Sequence, residues 1–198
     1  MDLTTNYIKH VKSKKHPVNN FFLNYFSKTV VKEAKKLRPR TVLDVGCGEG
    51  FILANLKQNK VGKEHEGIEY VDKAIKLAKQ LYPTLKILKG NIYKLPYQDN
   101  SFDLVLCTEV LEHLDYPERA LKELLRVTKK HLLLTVPNEP YFTIQRVLRG
   151  KNILELGDHP EHIQHWSSRS FKKFVQKQAI VKKIKRPLPW TLIIARKY

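Results

Sequence analysis

Thr41–Gly50 reads TVLDVGCGEG, and the fold is decided there. Thr41–Val45 has the apolar, β-branched composition of a buried strand. Gly46, Gly48 and Gly50 follow at alternate positions, and the next run, FILANLKQ, reads as a helix. A glycine-rich turn between a strand and a helix is where an open α/β sheet meets its ligand, because glycine permits positive φ and close backbone approach. Glu69 ends the following strand-like segment, HEGIEY, at the spacing expected of an acceptor for ribose hydroxyls.

The turn also restricts the ligand. The spacing is GxGxG rather than the GxGxxG of dinucleotide sites, and Asp44 and Glu49 flank it with negative charge. A pyrophosphate would be repelled at close range in a site of reduced dielectric. A ligand combining an adenosine with a cationic group is favoured. S-adenosylmethionine has that form, with a ribose, an ammonium, a sulfonium and no phosphate.

Working outward, strands and helices alternate. Before the turn, apolar residues at Phe21, Phe22, Tyr25, Phe26, Val30 and Ala34 predict one face of a helix over 17–37, ended by Pro39. After it come a helix over DKAIKLAKQL with Asp72 as cap, a strand LKILKG and a strand FDLVLCT buried on both faces. YPERALKELLRVT is a helix with Pro117 near its start, and KHLLLTV is another apolar strand. Residues 138–166 are long, irregular and rich in His and Pro, as an active-site cover would be. SSRSFKKFVQKQ reads as a capped helix, and AIVKKIKRP and WTLIIARKY as two strands joined through a Pro-containing loop. The alternation predicts an open, mostly parallel sheet with helices on both faces.

The 198 residues suit a single domain over 1–198, with residues 1–16 as a basic N-terminal arm. At 42% hydrophobic and 28% charged the chain reads as globular, with no apolar run long enough to span a bilayer and no secretory signal. Cys47 and Cys107 fit neither a disulfide framework nor a zinc spacing, and read as reduced thiols of a cytoplasmic protein. The formal net charge of +18 would attract RNA, an acidic membrane surface or a phosphorylated substrate, or simply confer solubility. Lysine outnumbers arginine and aromatics do not interleave with the basic runs, which suits backbone attraction more than base readout.

The segments VLDVGCGEG, GIEYVDKAIKLAK, GNIYKLPYQDNSFDLVLCTEVLEHL and LLLTVPNEP, in that order, resemble the successive motifs of class I S-adenosylmethionine-dependent methyltransferases, nearest the UbiE-like or type 11 group. The resemblance implies a Rossmann-like, mostly parallel seven-stranded sheet with a reversed C-terminal hairpin. It implies that Asp44, Gly46 and Gly48 line the methionine end of the donor, with Cys47 contributing its backbone. Glu69 would hold the ribose hydroxyls, and Tyr70 would pack near the adenine. Asn91, where the family more often has Asp, and Ile92 would flank the adenine edge. Thr108 and Glu109 would lie beside the sulfonium.

On the acceptor side, TEVLEHLD offers Glu109, Glu112 and His113 as candidate catalytic residues. If helical, these share one face. The long connection adds His159, His162 and His165. Two Glu and two His would make an octahedral Mg²⁺ or Mn²⁺ site with open positions. The ExxEH segment and a His shortly before Trp also resemble the small-RNA 3′-terminal 2′-O-methyltransferases. That likeness places Glu109, Glu112, His113 and His162 as metal ligands. The Phe-Asn pair of that family is replaced here by Pro140 and Tyr141. Among small-molecule methyltransferases that need no metal, the same residues shape the acceptor pocket. Tyr141, Phe142 and Trp166 are either acceptor-pocket aromatics or core.

The expected function is methyl transfer from S-adenosylmethionine to an oxygen or nitrogen acceptor of a small molecule. The alternatives are an RNA methyltransferase using the basic surface, with or without a metal, and a non-catalytic protein that retains the donor site.

Overall fold

The computed structural model describes residues 17–139, 141 and 163–198. The elements there are α1 (Pro17–Lys36), β1 (Thr41–Val45), α2 (Phe51–Gln58), β2 (Glu64–Glu69), α3 (Asp72–Leu81), β3 (Lys86–Lys89), β4 (Phe102–Thr108), α4 (Pro117–Val127), β5 (Thr128–Pro137), α5 (Ser168–Gln176), β6 (Ile180–Lys185) and β7 (Trp190–Arg196). A single 3₁₀ turn, Leu111–His113, lies between β4 and α4.

One seven-stranded sheet has the order β3-β2-β1-β4-β5-β7-β6. The first five strands run parallel, with Asp44 of β1 opposite Gly67 of β2 and Leu106 of β4. β7 enters antiparallel between β5 and β6, which makes the reversed C-terminal hairpin. The chain steps outward from β1 to β2 and β3, then returns to place β4 on the other side of β1. That reversal opens a crevice beyond the carboxyl ends of β1 and β4, the switch point at which doubly wound sheets bind ligands.

Both faces of the sheet are covered. Phe26, Val30 and Ala34 of α1, Leu53 and Leu56 of α2 and Ile75 and Ala78 of α3 pack on one side. Leu121 and Leu124 of α4 with Phe171, Phe174 and Val175 of α5 pack on the other. β4 and β5, central between these layers, are buried almost throughout, which is why their sequences are near-continuous apolar runs.

Local sequence explains the helix starts. Pro117 opens α4, where its missing N–H is an orphan in any helix. The Ser167 side chain accepts from the Ser170 N–H and caps α5. At α3 the expectation is corrected: Val71 takes the N-cap position in extended conformation. Asp72 sits one residue later, in the first turn, where its charge meets the positive helix end and pairs with Lys89.

The buried stripe of α1 also differs from the predicted one. Phe26, Val30 and Ala34 are buried, but Phe21 is 66% exposed and Tyr25 49% exposed. Val31 joins the core, so the stripe is turned away from Phe21 and Tyr25. The predicted basic arm (1–16) and most of the predicted cover (138–166), with Pro140, Phe142, His159 and His162, lie outside the described residues. Among the described residues no helix is long and apolar enough to cross a membrane.

Candidate active site

β1 delivers its last residues into the switch point. The N–H groups of Gly46 and Cys47 donate to the carbonyl of Ile68 in β2 (2.8 and 3.1 Å), and the Gly50 N–H closes a turn onto Cys47 (2.9 Å). Gly46, Gly48 and Gly50 all have positive φ, at 73°, 53° and 80°. A Cβ at Gly46 would lie 2.4 Å from Cγ2 of Val110, so this position is closed to larger residues by contact as well as by backbone. A Cβ at Gly48 would meet nothing within 4 Å. The turn is thus tight on the side of Val110 and open at Gly48, as a backbone that receives a ligand must be.

Three carboxylates surround the turn. Glu69 ends β2 and is nearly buried, with Oε2 accepting from the Gly48 N–H (2.7 Å) and Oε1 from the N–H groups of Tyr70 (2.8 Å) and Val71 (2.9 Å). Three backbone donors fix the orientation of this carboxylate. Asp44 is 1% exposed, and neither of its oxygens has a hydrogen-bond partner. Burial, reinforced by the charge of Glu69, pushes its carboxyl up to about 7. Glu49 is also buried and raised, again by desolvation. A buried, unpartnered carboxylate beside an open glycine turn is a charge awaiting a donor or cation. The cationic adenosine ligand expected from the sequence fits that requirement, and a pyrophosphate does not.

The remaining residues expected on the donor side lie at the same edge. The Cys47 thiol packs toward β2, since a Cβ at Gly67 would come within 2.7 Å of its Sγ. Burial, with Asp44 and Glu69 nearby, raises that thiol well above its ordinary range, so it is inert and the residue offers its main chain. Tyr70 is 67% exposed, a free aromatic face beside Glu69. Asn91 follows β3 and its Oδ1 accepts from the Tyr93 N–H (2.9 Å), which orders the turn and leaves one lone pair on that oxygen. Ile92 packs against the core.

Thr108 closes β4, and Glu109 follows in the left-handed region at φ 58°. Its N–H donates to the Thr135 carbonyl (3.2 Å), its Oε1 accepts from the Thr135 hydroxyl (2.8 Å), and the Trp190 indole also hydrogen-bonds its side chain. Burial pushes the Glu109 carboxyl up to about 8 against the lowering effect of those two hydrogen bonds. Glu112 is 1% exposed with both oxygens unpartnered, and its carboxyl is raised by burial and then by the charge of Glu109. His113 Nε2 stands 4.0 Å from Glu112 Oε1.

Here the structure corrects the sequence reading. Glu109, Glu112 and His113 do not share one face of an α-helix, because Glu109 is left-handed and only Leu111–His113 form a 3₁₀ turn. Among the described residues they do not gather into a group of three ligands that could hold an ion. The long connection does return to this turn: the N–H groups of Ile163 and Gln164 donate to the Glu112 carbonyl (2.8 and 2.9 Å). His165 is exposed. Trp166 packs on Phe171 and Phe174 with ring centroids 5.3 and 5.1 Å away, and Tyr141 is 55% exposed. Thr135 and Trp190 were not singled out from sequence. A lone hydroxyl inside the apolar run LLLTVP was the available signal for the first. Trp190 is brought to Glu109 by the reversed hairpin and backed by Phe26, with centroids 4.7 Å apart.

Comparison with known proteins agrees with this fold. Residues 43–134 match the family model described as a methyltransferase domain of type 11. An uncharacterized methyltransferase of Schizosaccharomyces pombe is 38% identical over 99 residues, covering 44% of this chain and 36% of the relative. The mitochondrial ubiquinone biosynthesis O-methyltransferase of Saccharomyces cerevisiae is 31% identical over 124 residues, covering 59% of this chain and 40% of the relative. The crystal structure of the PH0226 protein from Pyrococcus horikoshii superposes with a TM-score of 0.74 at 16% identity, over 96% of this chain and 94% of that one. Residues 43–134 thus match a methyltransferase domain, and the chain shares its fold with solved structures that include an S-adenosylmethionine-dependent methyltransferase from Aquifex aeolicus, with a TM-score of 0.67 at 21% identity over 85% of this chain and 88% of that one. The chain spans less than half the length of the curated relatives first matched.

Proposed function

We propose that this chain transfers a methyl group from S-adenosylmethionine to an oxygen or nitrogen atom of a small-molecule acceptor. The observation that carries the reading is the buried, unpartnered Asp44 carboxylate beside a glycine turn whose Gly48 N–H is held by Glu69. Asp44 and the backbone of Gly46, Cys47 and Gly48 hold the cationic methionine end. Glu69, preset by three N–H donors, accepts from the ribose hydroxyls. Tyr70 covers the adenine face, and Asn91 and Ile92 flank its edge.

When bound, the donor supplies an electrophilic methyl group on its sulfonium. The chain's own work is alignment, exclusion of water and removal of the acceptor proton. Thr108 and Glu109 end β4 at the reacting edge. Glu109, poised near neutral by its burial and oriented by Thr135 and Trp190, takes that proton. Glu112, buried without a hydrogen-bond partner and with its carboxyl raised by desolvation and by the charge of Glu109, shapes the pocket with His113. The yeast relative named for ubiquinone biosynthesis supports an acceptor of small-molecule size. No step is routed through a metal: among the described residues Glu109, Glu112 and His113 form no group of three ligands, and His162 lies outside those residues.

Calorimetry with S-adenosylmethionine and with its demethylated product tests the donor site, and both are expected to bind. Labelled donor incubated with fractionated, nuclease-treated cell extract then reports the acceptor class. A well-folded sample that ignores millimolar donor and product overturns the reading.

A further inference from the structure

A second cleft lies at the opposite edge of the sheet from the glycine turn. Lys35, Arg38, Pro39, Lys60, Val61 and Gly62 line an open depression of about 400 Å³ there, within the roughly 300–1,000 Å³ of small-molecule sites. The cleft stands where α1 and α2 end and β1 and β2 begin. The five residues of β1, at about 3.3 Å each, separate it from the turn that holds the donor, so its occupant is not the methyl acceptor.

Two features of the backbone set this cleft apart. Arg38 has φ 48° and Lys60 φ 56°, and both follow helix ends, where glycine or asparagine is the unstrained choice. At each position the chain carries a long cation in a conformation that L side chains rarely adopt, and both cations line the same cavity. Backbone strain of this kind concentrates where a ligand is held. Gly62, also at positive φ, completes the wall: a Cβ there would press within 2.8 Å of Val42.

The charge balance points to the ligand. Lys35, Arg38 and Lys60 are exposed cations, and no carboxylate lines the cleft among the described residues. The acids nearest along the chain are engaged elsewhere: Glu33 is buried and pairs with Lys36 and Lys183 (2.7 Å each), and Glu64 pairs with Arg40 at 3.5 Å. The carbonyl ends of two helices offset roughly half a charge each, which leaves a surplus of about two positive charges. Dipole compensation accounts for Lys35 in the last turn of α1, but not for cations placed at left-handed positions beyond the helix ends.

We propose that this cleft binds the phosphate groups of an anionic ligand, at a site separate from the donor and acceptor pockets. Those groups belong either to a free di- or triphosphate compound or to a polynucleotide backbone, and the concave shape with three converging cations suits either.

The test uses tripolyphosphate as probe, by calorimetry at low salt, on the full chain and on Arg38→Gly/Lys60→Gly. Glycine is at ease at both φ values, so the variant keeps its fold, and its melting temperature is expected to equal or exceed that of the parent. Tripolyphosphate affinity falls at least tenfold in this variant and further with Lys35→Ala, whereas Lys172→Ala/Lys173→Ala on α5 leaves it unchanged. A labelled single-stranded RNA separates the two sources. If tripolyphosphate displaces it and the glycine variant loses it, the cleft takes the backbone. RNA binding that survives the substitution, with tripolyphosphate binding lost, assigns the cleft to free phosphates. Tripolyphosphate affinity unchanged in the glycine variant overturns the proposal. Donor binding, followed in the same samples, is expected to be unaffected and reports separately on the methyltransferase site.

Discussion

The Oε2 atom of Glu69 lies 2.7 Å from the Gly48 amide nitrogen, across 21 residues of chain. This hydrogen bond ties the end of β2 to the turn after β1, so the proposed ribose acceptor and the proposed methionine cradle form one unit. Glu69→Gln retains an oxygen for Gly48 but loses the charge. A hydrogen bond to a charged group is worth about 1.5–3 kcal/mol, so donor affinity is expected to fall roughly tenfold to a hundredfold. Calorimetry measures it, and an affinity within twofold of the parent contradicts the assigned role.

Gly46 and Gly48 separate fold from binding. Gly46→Ala places its Cβ against Val110 and forces an L residue to φ 73°, and is expected to destabilise the fold by about 2–4 kcal/mol. Val110→Ala should restore part of that loss, which thermal melting can read. Gly48→Ala meets open space and bears only the backbone strain at φ 53°, about 1–2 kcal/mol, while donor binding falls much more.

Asp44 makes stability and donor binding move in opposite directions with pH. Its folded-state pKa, about 7, is raised above the unfolded value near 4, so its contribution to stability is fully present below pH 4 and is lost as pH rises to 7. The loss is of order 4 kcal/mol for a shift of this size. Asp44→Asn should therefore melt higher than the parent at pH 8 and differ little at pH 4. Donor affinity of the parent should instead strengthen as pH rises through 7, because the ionised carboxylate receives the cation. The Asn variant should lose both that pH dependence and most of the affinity.

Thr135 and Trp190 hold the Glu109 side chain through hydrogen bonds. Thr135→Val and Trp190→Phe each remove one donor while keeping most of the packing volume. Turnover is expected to drop roughly tenfold to a hundredfold in either, with donor affinity within about threefold of the parent, since orientation of the base and not donor binding is impaired. Equal losses in turnover and donor binding would mean that these residues only support the fold.

Trp166 lies with Phe171 and Phe174 on the α5 side of the sheet. Trp166→Ala should destabilise by about 3–5 kcal/mol. Trp166→Phe should restore most of the stability without altering the KM for an acceptor, whereas a change in KM would return this residue to the acceptor pocket.

Much of the proposed donor half was legible in the sequence because its turn is local. Glycines at alternate positions after a buried strand require a turn of positive φ, and the observed turn has it. The burial of β4 and β5 follows from unbroken apolar runs, and the capping of α5 from Ser167. The acceptor half was not legible in the same way. TEVLEHL has helical spacing, yet Glu109 is left-handed because its N–H and carboxylate are both drawn to Thr135 of the neighbouring strand. The apolar periodicity of α1 likewise could not reveal which edge of its aromatic stripe the sheet would cover.

The sequence by itself determined the alternation of strands and helices, the glycine turn and the acidic character of the residues around it, since these depend on neighbours within a few positions. Only the tertiary structure decided that Asp44 stands buried without a partner, that Trp190 reaches Glu109, and that Arg38 and Lys60 face one cleft. The physical reason is that burial, and the pairing of groups far apart in the chain, are set by how strands order themselves in the sheet, and no local spacing encodes that order.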